Sequence, residues 1–288
     1  KLLQLEAVKF WHAPIILLCI IPLGIAGRGG LQTVPVNQSN VYFSDKMFAN
    51  HAAVNFTWSF INALSYKAYS TDNPFIEMEI DTAKSIIEAA RKPLRVSIPN
   101  DSLKLFNTNR PNVILILWES LTAKVVAQLG GELNVTPNLN SLVKEGVFFD
   151  QFYSNGDRSD KGLISILSGY PPQPNKSIIK NTNKASSLPF MTIKMSEIGY
   201  HNSYYYGGDL NFGNMNSYLR NGGINEFVSG EDFEKKDWNS KWGVHDHVLL
   251  NRFLSDINKE QKKPFFKILF TLTSHEPFEF PGTYAFGK

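Results

Sequence analysis

The run Val113-Ile-Leu-Ile-Leu-Trp118 constrains the fold of this chain more than any other stretch. Six consecutive apolar residues, bounded by Pro111 and by the polar pair Glu119-Ser120, predict a strand buried on both faces. Glu119 then falls just past the strand's carboxyl end, where open α/β sheets place their ligands. A solvated loop carboxylate is one reading of Glu119. A hard-metal ligand is the other, because such ions take oxygen donors.

Beyond this run, apolar segments alternate in type. Val147–Tyr153, Ser203–Tyr206 and Phe265–Leu272 read as further strands. Pro137–Glu145, Asp160–Leu167, Met191–Ile198, Met215–Gly222 and Asp246–Asn258 read as helices. Alternation of this kind predicts an α/β fold, a mainly parallel sheet with helices on both faces. Glu119, Ser159 and His275 all follow, or nearly follow, a predicted strand, so one edge of the sheet would gather them.

The stretch Asn155-Gly-Asp-Arg-Ser159-Asp-Lys-Gly-Leu-Ile-Ser-Ile-Leu-Ser-Gly169 reads as a tight polar turn that delivers Ser159 onto the first turn of an apolar helix. A helix N-terminus offers unpaired N–H groups and the positive end of a dipole, which favour a phosphate or an alkoxide. A simple N-cap serine is the alternative.

Four segments, taken together, resemble the sulfatase-type domain of the alkaline phosphatase superfamily. They are Asn-Val-Ile-Leu-Ile-Leu-Trp-Glu-Ser (112–120), Thr-Pro-Asn-Leu-Asn-Ser-Leu (136–142), Phe-Tyr-Ser-Asn-Gly-Asp-Arg-Ser-Asp-Lys-Gly (152–162) and Leu-Thr-Ser-His-Glu-Pro-Phe (272–278). Their order and spacing are similar to the branch of lipoteichoic acid synthases and phosphoglycerol or phosphoethanolamine transferases. The resemblance implies an alkaline-phosphatase-like sheet over 111–288, in the N-terminal part of the catalytic domain. It also implies that Ser159, where the family commonly has Thr, is both nucleophile and metal ligand, with Glu119 as a second ligand. The metal would be divalent, Mn²⁺ first, with Mg²⁺ or Zn²⁺ as alternatives. His275 matches a histidine that contacts the substrate phosphate. Arg158 would hold a phosphate oxygen, unless it pairs with Asp157 or Asp160.

Departures from the family bear on the substrate. Lipoteichoic acid synthases present a His…Trp-x-Arg group to the phosphoglycerol head. The equivalent stretch here, Tyr205-Tyr-Gly-Gly-Asp-Leu-Asn-Phe-Gly-Asn214, lacks the Trp and the Arg. Asp209, Asn211 and Asn214 would form a different polar pocket in their place. The family's remaining metal ligands, an Asp-His pair, normally lie beyond a point matching Lys288, so the chain is expected to be a piece of a longer one. An ordinary sulfatase would need x-Pro-x-Arg after its nucleophile, and Ser159-Asp-Lys-Gly-Leu has neither. A non-catalytic envelope sensor or scaffold that kept the fold is a hypothesis of another class. His245-Asp246-His247 attracts attention as a metal motif, but adjacent helical residues face apart, and Asp246 reads as helix N-terminal structure.

Composition narrows the partners. A net charge of +3, with 19% charged residues and no basic run interleaved with aromatics, argues against nucleic acid. The single cysteine, Cys19, excludes an internal disulfide framework and a thiolate metal site. Phe10 to Ala26 is an almost unbroken apolar stretch of 17 residues, at the short limit for a membrane span. From the residues alone it reads as a transmembrane helix over 1–27, a signal peptide, or a core helix. The resemblance implies the first, as the last span of a multi-pass anchor, with the remaining chain on the extracytoplasmic side. Partners would then be a membrane lipid donor and an envelope glycan or lipid acceptor. Residues 28–110 read as a connector, with an amphipathic helix from Asn50 to Tyr69 and a second from Asp81 to Lys92.

Overall fold

A computed structural model describes residues 11–32, 34–44, 46–65, 76–91, 106–174, 176–259 and 263–284. In chain order its elements are α1 (His12–Arg28), α2 (Met47–Ala52), α3 (Phe56–Ser65), α4 (Ile80–Arg91), β1 (Val113–Leu117), α5 (Pro137–Leu142) and α6 (Ser159–Ser168). There follow α7 (Thr182–Ala185), α8 (Met191–Glu197), β2 (His201–Tyr206), α9 (Met215–Asn221), β3 (Glu226–Val228), α10 (Asp246–Ile257) and β4 (Phe265–Phe270). The strands form one sheet in the order β1-β4-β2-β3, and every neighbouring pair is parallel.

Side-chain alternation along the strands builds two cores. On one face Phe266, Ile268 and Phe270 of β4 and Tyr204 and Tyr206 of β2 pack with Leu163, Ile164 and Leu167 of α6 and with Tyr218 and Leu219 of α9. On the other, Tyr205, Val228 and Leu269 meet Leu249 and Phe253 of α10. Helices therefore cover both faces of the central strands, as the alternating pattern predicts. Each large apolar side chain buried in this way contributes roughly 1.5–3 kcal/mol.

Two strand expectations need correction. β1 is an edge strand, not one covered on both sides: Val113, Leu115 and Leu117 turn to the core, while Ile114 and Ile116 are 44% and 55% exposed. The reason is that α10 packs over β2, β3 and β4 and leaves that side of β1 open among the described residues. The segment 147–153 forms no strand, and its Phe149, Phe152 and Tyr153 are exposed. A strand exists only as a paired element, and among the described residues no neighbour takes up this segment's backbone groups.

The N-terminal third divides in two. α1 is apolar, buries none of its residues and ends at Gly29 in the left-handed conformation. At 17 residues it extends about 26 Å, short of a hydrocarbon core of about 30 Å. Among the described residues no helix is long and apolar enough to cross a membrane. The start of the expected span, residues 1–10, lies outside the described residues. Farther on, the expected helix from Asn50 to Tyr69 is broken into α2 and α3 around Val54, and its last residues also fall outside the described set. The segment before α2 docks onto the α/β body. Ser39 and Tyr42 are buried, and the Asn216 side-chain amide of α9 donates to the carbonyls of both, at 3.2 and 2.9 Å.

Candidate active site

Ser159 is the first residue of α6, and the cap position belongs to Arg158, whose side chain makes no capping bond. The Ser159 hydroxyl does not cap the helix either. It donates 2.8 Å to Glu119 Oε2, forty residues back in the chain. Leu163, Ile164 and Leu167 fix α6 in the core, so the hydroxyl is delivered by a rigid element. Lys161 secures the turn before it. Although only 7% exposed, its ammonium donates to Asp157 Oδ1 at 2.8 Å and to the Pro174 carbonyl at 3.2 Å. The hydrogen bond from Lys161 holds the Asp157 carboxyl below its ordinary range. Lys180 stands 3.7 Å from Asp160. Lysines thus take both aspartates that competed for Arg158, whose exposed guanidinium has no ion pair or hydrogen bond among the described residues.

Glu119 lies where β1 ends, held by the turn that follows β4. Its backbone N–H donates to Thr271 Oγ1 at 2.8 Å, and Thr271 N–H donates to the Leu117 carbonyl at 3.0 Å. Ser120, in the left-handed region at φ 56°, donates its hydroxyl to Glu119 Oε1 at 3.2 Å. The indole of Trp118 donates to Ser274 Oγ at 3.3 Å. His275 follows in the same turn, with Nδ1 2.8 Å from the Glu276 carbonyl. A carbonyl only accepts, so Nδ1 carries a proton and Nε2 is the nitrogen left to face a ligand. The Trp242 ring meets the imidazole edge-on at 4.7 Å, and its own indole N–H donates to the Glu276 carbonyl.

The remaining sequence-predicted residues, Asp209, Asn211 and Asn214, share one loop and make no hydrogen bond to Ser159 or Glu119 among the described residues. Asp209 Oδ1 accepts from the Asn211 backbone N–H at 2.8 Å. The Asn211 side-chain carbonyl accepts from Asn216, and its backbone carbonyl accepts from Asn37 at 2.7 Å. Asn214 is buried at φ 65° and donates to the Ile179 carbonyl at 3.2 Å. Their hydrogen bonds close the loop and attach it to α9 and the N-terminal segment. Tyr206, buried at the end of β2, is not in the sequence-predicted set. Desolvation, reinforced by the charges of Glu119, Asp209 and Asp246, pushes its hydroxyl above the ordinary range, so it stays protonated beneath the site.

Sequence reasoning also missed Thr271 and the reach of Asp246. Asp246 is indeed the first residue of α10, yet its carboxylate accepts from the backbone N–H groups of Leu272 and Thr273, at 2.6 and 3.0 Å. No local pattern announces such a bond, because its partner lies 26 residues downstream.

The donor set for a metal can be tested on the pair itself. Two hard oxygens about 2.1 Å from one ion and at right angles to it lie about 3 Å apart. Glu119 Oε2 and Ser159 Oγ, at 2.8 Å, fit as one edge of such a site. Among the described residues no group of three His, Cys, Asp or Glu side chains converges on a common point.

With this geometry in view, relatives place the chain. Residues 111–287, which hold Glu119, Ser159 and His275, match the sulfatase family. The chain belongs to that family. Its sequence is 27% identical over 172 residues to a lipoteichoic acid synthase-like protein, YvgJ, of Bacillus subtilis, a match covering 58% of this chain and 27% of the relative. A crystal structure of an alkaline phosphatase superfamily protein from Vibrio parahaemolyticus superposes with a TM-score of 0.62 at 29% identity, covering 72% of this chain and 52% of that one. The lipoteichoic acid synthase LtaP from Listeria monocytogenes superposes with a TM-score of 0.56 at 20% identity, covering 67% and 48%. That likeness shows the fold. The chain thus spans about a quarter of the length of the curated relatives it matches. The superfamily and fold expected from the four motifs are those found.

Proposed function

We propose that Ser159 and Glu119 form the nucleophilic, metal-holding part of a cell-envelope transferase that moves a phosphoglycerol- or phosphoethanolamine-type group from a membrane lipid. The observation that supports it is the 2.8 Å hydrogen bond from Ser159 Oγ, on the first residue of α6, to Glu119 Oε2, forty residues back in the chain. The lipoteichoic acid synthases among the relatives point to the same substrate class.

A divalent ion, Mn²⁺ by preference over Mg²⁺ or Zn²⁺, held by Glu119 and Ser159 would supply Lewis acidity that lowers the pKa of the hydroxyl. The protein's own part is then as follows. Glu119 Oε2 accepts the Ser159 proton, and the N-terminus of α6 favours the negative charge that develops. Ser159 Oγ forms a bond to the donor's phosphorus as the phosphorus–oxygen bond to the diacylglycerol breaks. The departing oxygen takes a proton from His275 Nε2, protonated for that step. The acceptor hydroxyl then attacks the phospho-Ser159 diester and gives its proton to His275 Nε2, while the phosphorus–Oγ bond breaks and Oγ takes back the proton held by Glu119. The guanidinium of Arg158, which makes no ion pair or hydrogen bond among the described residues, would hold a phosphate oxygen. Asp209, with one carboxylate oxygen outside the loop's own bonds, is the member of its trio best able to meet the head group.

In the proposed full-length protein, α1 is the last span of a multi-pass anchor, and the catalytic domain works on the extracytoplasmic side. The test uses that full-length protein in vesicles containing phosphatidylglycerol or phosphatidylethanolamine labelled in the head group. Label should become covalently attached to the protein at Ser159 and then pass to an acceptor. No attachment from either lipid, or attachment that persists in Ser159→Ala, would overturn the proposal.

A further inference from the structure

We propose that Asp246 is the positioning residue of this site, acting through the turn after β4 on Glu119 and His275 together. The inference rests on the reading of Glu119 and His275 given above. Asp246 stands at the first position of α10, and its half-buried carboxylate points away from its own helix. Oδ1 accepts from Leu272 N–H at 2.6 Å and Oδ2 accepts from Thr273 N–H at 3.0 Å. The Asp246 N–H closes the clasp by donating to Thr273 Oγ1 at 2.8 Å. Three bonds from one residue therefore fix residues 272 and 273.

Both candidate functional groups depend on what those bonds hold. Thr271, one residue upstream, accepts the Glu119 N–H at 2.8 Å and thereby places the carboxylate that receives the Ser159 hydroxyl. Leu272, one of the clasped residues, offers its carbonyl to the His275 N–H at 3.0 Å, which sets where the imidazole begins. Ser274 adds a tie from the turn to Trp118. Ionised carboxylate acceptors make stronger hydrogen bonds than neutral ones, so this clasp is stiffer than a threonine or asparagine could make it. Losing it would leave two part-buried N–H donors unpaired and the turn free to shift by the fraction of an ångström that catalysis notices.

The experiment compares Asp246→Ala and Asp246→Asn with Asp256→Ala in the full-length protein. Asp256 lies at the other end of α10, where it is buried and pairs with Arg252 and Lys259, so its loss perturbs the same helix without touching the turn. Asp246→Ala should lower kcat by about tenfold to a hundredfold, the usual scale for groups that orient functional side chains. Asp246→Asn, which keeps one acceptor oxygen, should fall between it and the parent protein. Asp256→Ala should cost thermal stability and leave kcat within about twofold. Hydrogen–deuterium exchange supplies a readout that needs no turnover. Asp246→Ala should lose protection both at 271–275 and at 117–120, at the end of the neighbouring strand β1, whereas Asp256→Ala should lose it only within α10. Unchanged protection at 117–120 in Asp246→Ala would overturn the proposal, and so would an equal kcat loss in Asp256→Ala. If Ser159→Ala retains full turnover, the functional reading fails while the exchange result still decides the clasp.

Discussion

Two polar stretches at the same end of the sheet carry comparable side chains and use them in opposite ways. Around Ser159, hydrogen bonds connect segments so that an oxygen pair, Glu119 Oε2 and Ser159 Oγ, is held at a set distance by rigid elements on both sides. Around Asn211, the hydrogen bonds run between the loop and its own surroundings: Asn211 N–H to Asp209, Asn37 to Asn211, Asn214 to Ile179. The first stretch places two oxygens against each other, the pair that the proposed function assigns to a ligand, and the second uses its polar groups, Asp209 Oδ2 apart, to hold the chain. The lesson is that residue type marks a region as polar, while the partner of each group decides whether it remains available. Three variants test the first stretch, in descending order of effect on turnover.

Ser159→Ala should break the contrast most. Removing Oγ takes away the bond-forming atom, and in a full-length protein turnover should fall by on the order of a thousandfold or more. The phosphoryl adduct should vanish with it while the thermal transition stays in place. Normal turnover in this variant would remove Ser159 from the mechanism.

Glu119→Gln replaces a charged hard donor by a neutral amide of the same shape. Metal content, read by elemental analysis, should drop, and turnover should fall by on the order of a hundredfold. An unchanged metal content would make Glu119 a bystander held by Thr271 and Ser120 for structural reasons. His275→Ala should cost about a hundredfold in turnover with the metal retained, because a proton donor is lost and no metal ligand is. Loss of metal in that variant would reassign His275 as a ligand.

What the sequence revealed follows the range of the interaction concerned. Phe265–Phe270 was legible because burial in a parallel sheet demands an apolar run, and Val113–Leu117 was legible as a strand although one of its sides is open among the described residues. β2 was half legible: its Tyr204–Tyr206 end looks like a strand, but His201 and Asn202 do not. Asn202 is tolerated there because its amide donates to the Thr192 carbonyl, Ser196 Oγ and the Gly223 carbonyl. The segment 147–153 has strand composition and no partner, so propensity misled. Ser159 and Glu119 could be read because each is marked locally, one by a strand end and one by a helix start. Asp246, Thr271 and the docking of Ser39 onto Ser217 and Asn216 could not, since each depends on contacts far away in the chain.

The smallest expected effect on turnover sharpens the comparison from its other side. Asn214→Ala removes a donor to the buried Ile179 carbonyl and puts alanine at φ 65°, a conformation that asparagine tolerates and alanine does not. An unpaired buried carbonyl costs about 1–3 kcal/mol, and the backbone strain adds about 1 kcal/mol. Asn214→Gly should relieve the strain and keep only the hydrogen-bond loss, so it should denature later than the alanine variant. If the loop's polar groups serve structure, kcat and KM in both variants should stay within about twofold of the parent protein at temperatures where they are folded. A rise in KM for the lipid donor of tenfold or more, with stability unchanged, would place Asn214 against the head group after all. It would also erase the distinction between a loop that holds the chain and a pair that holds a ligand.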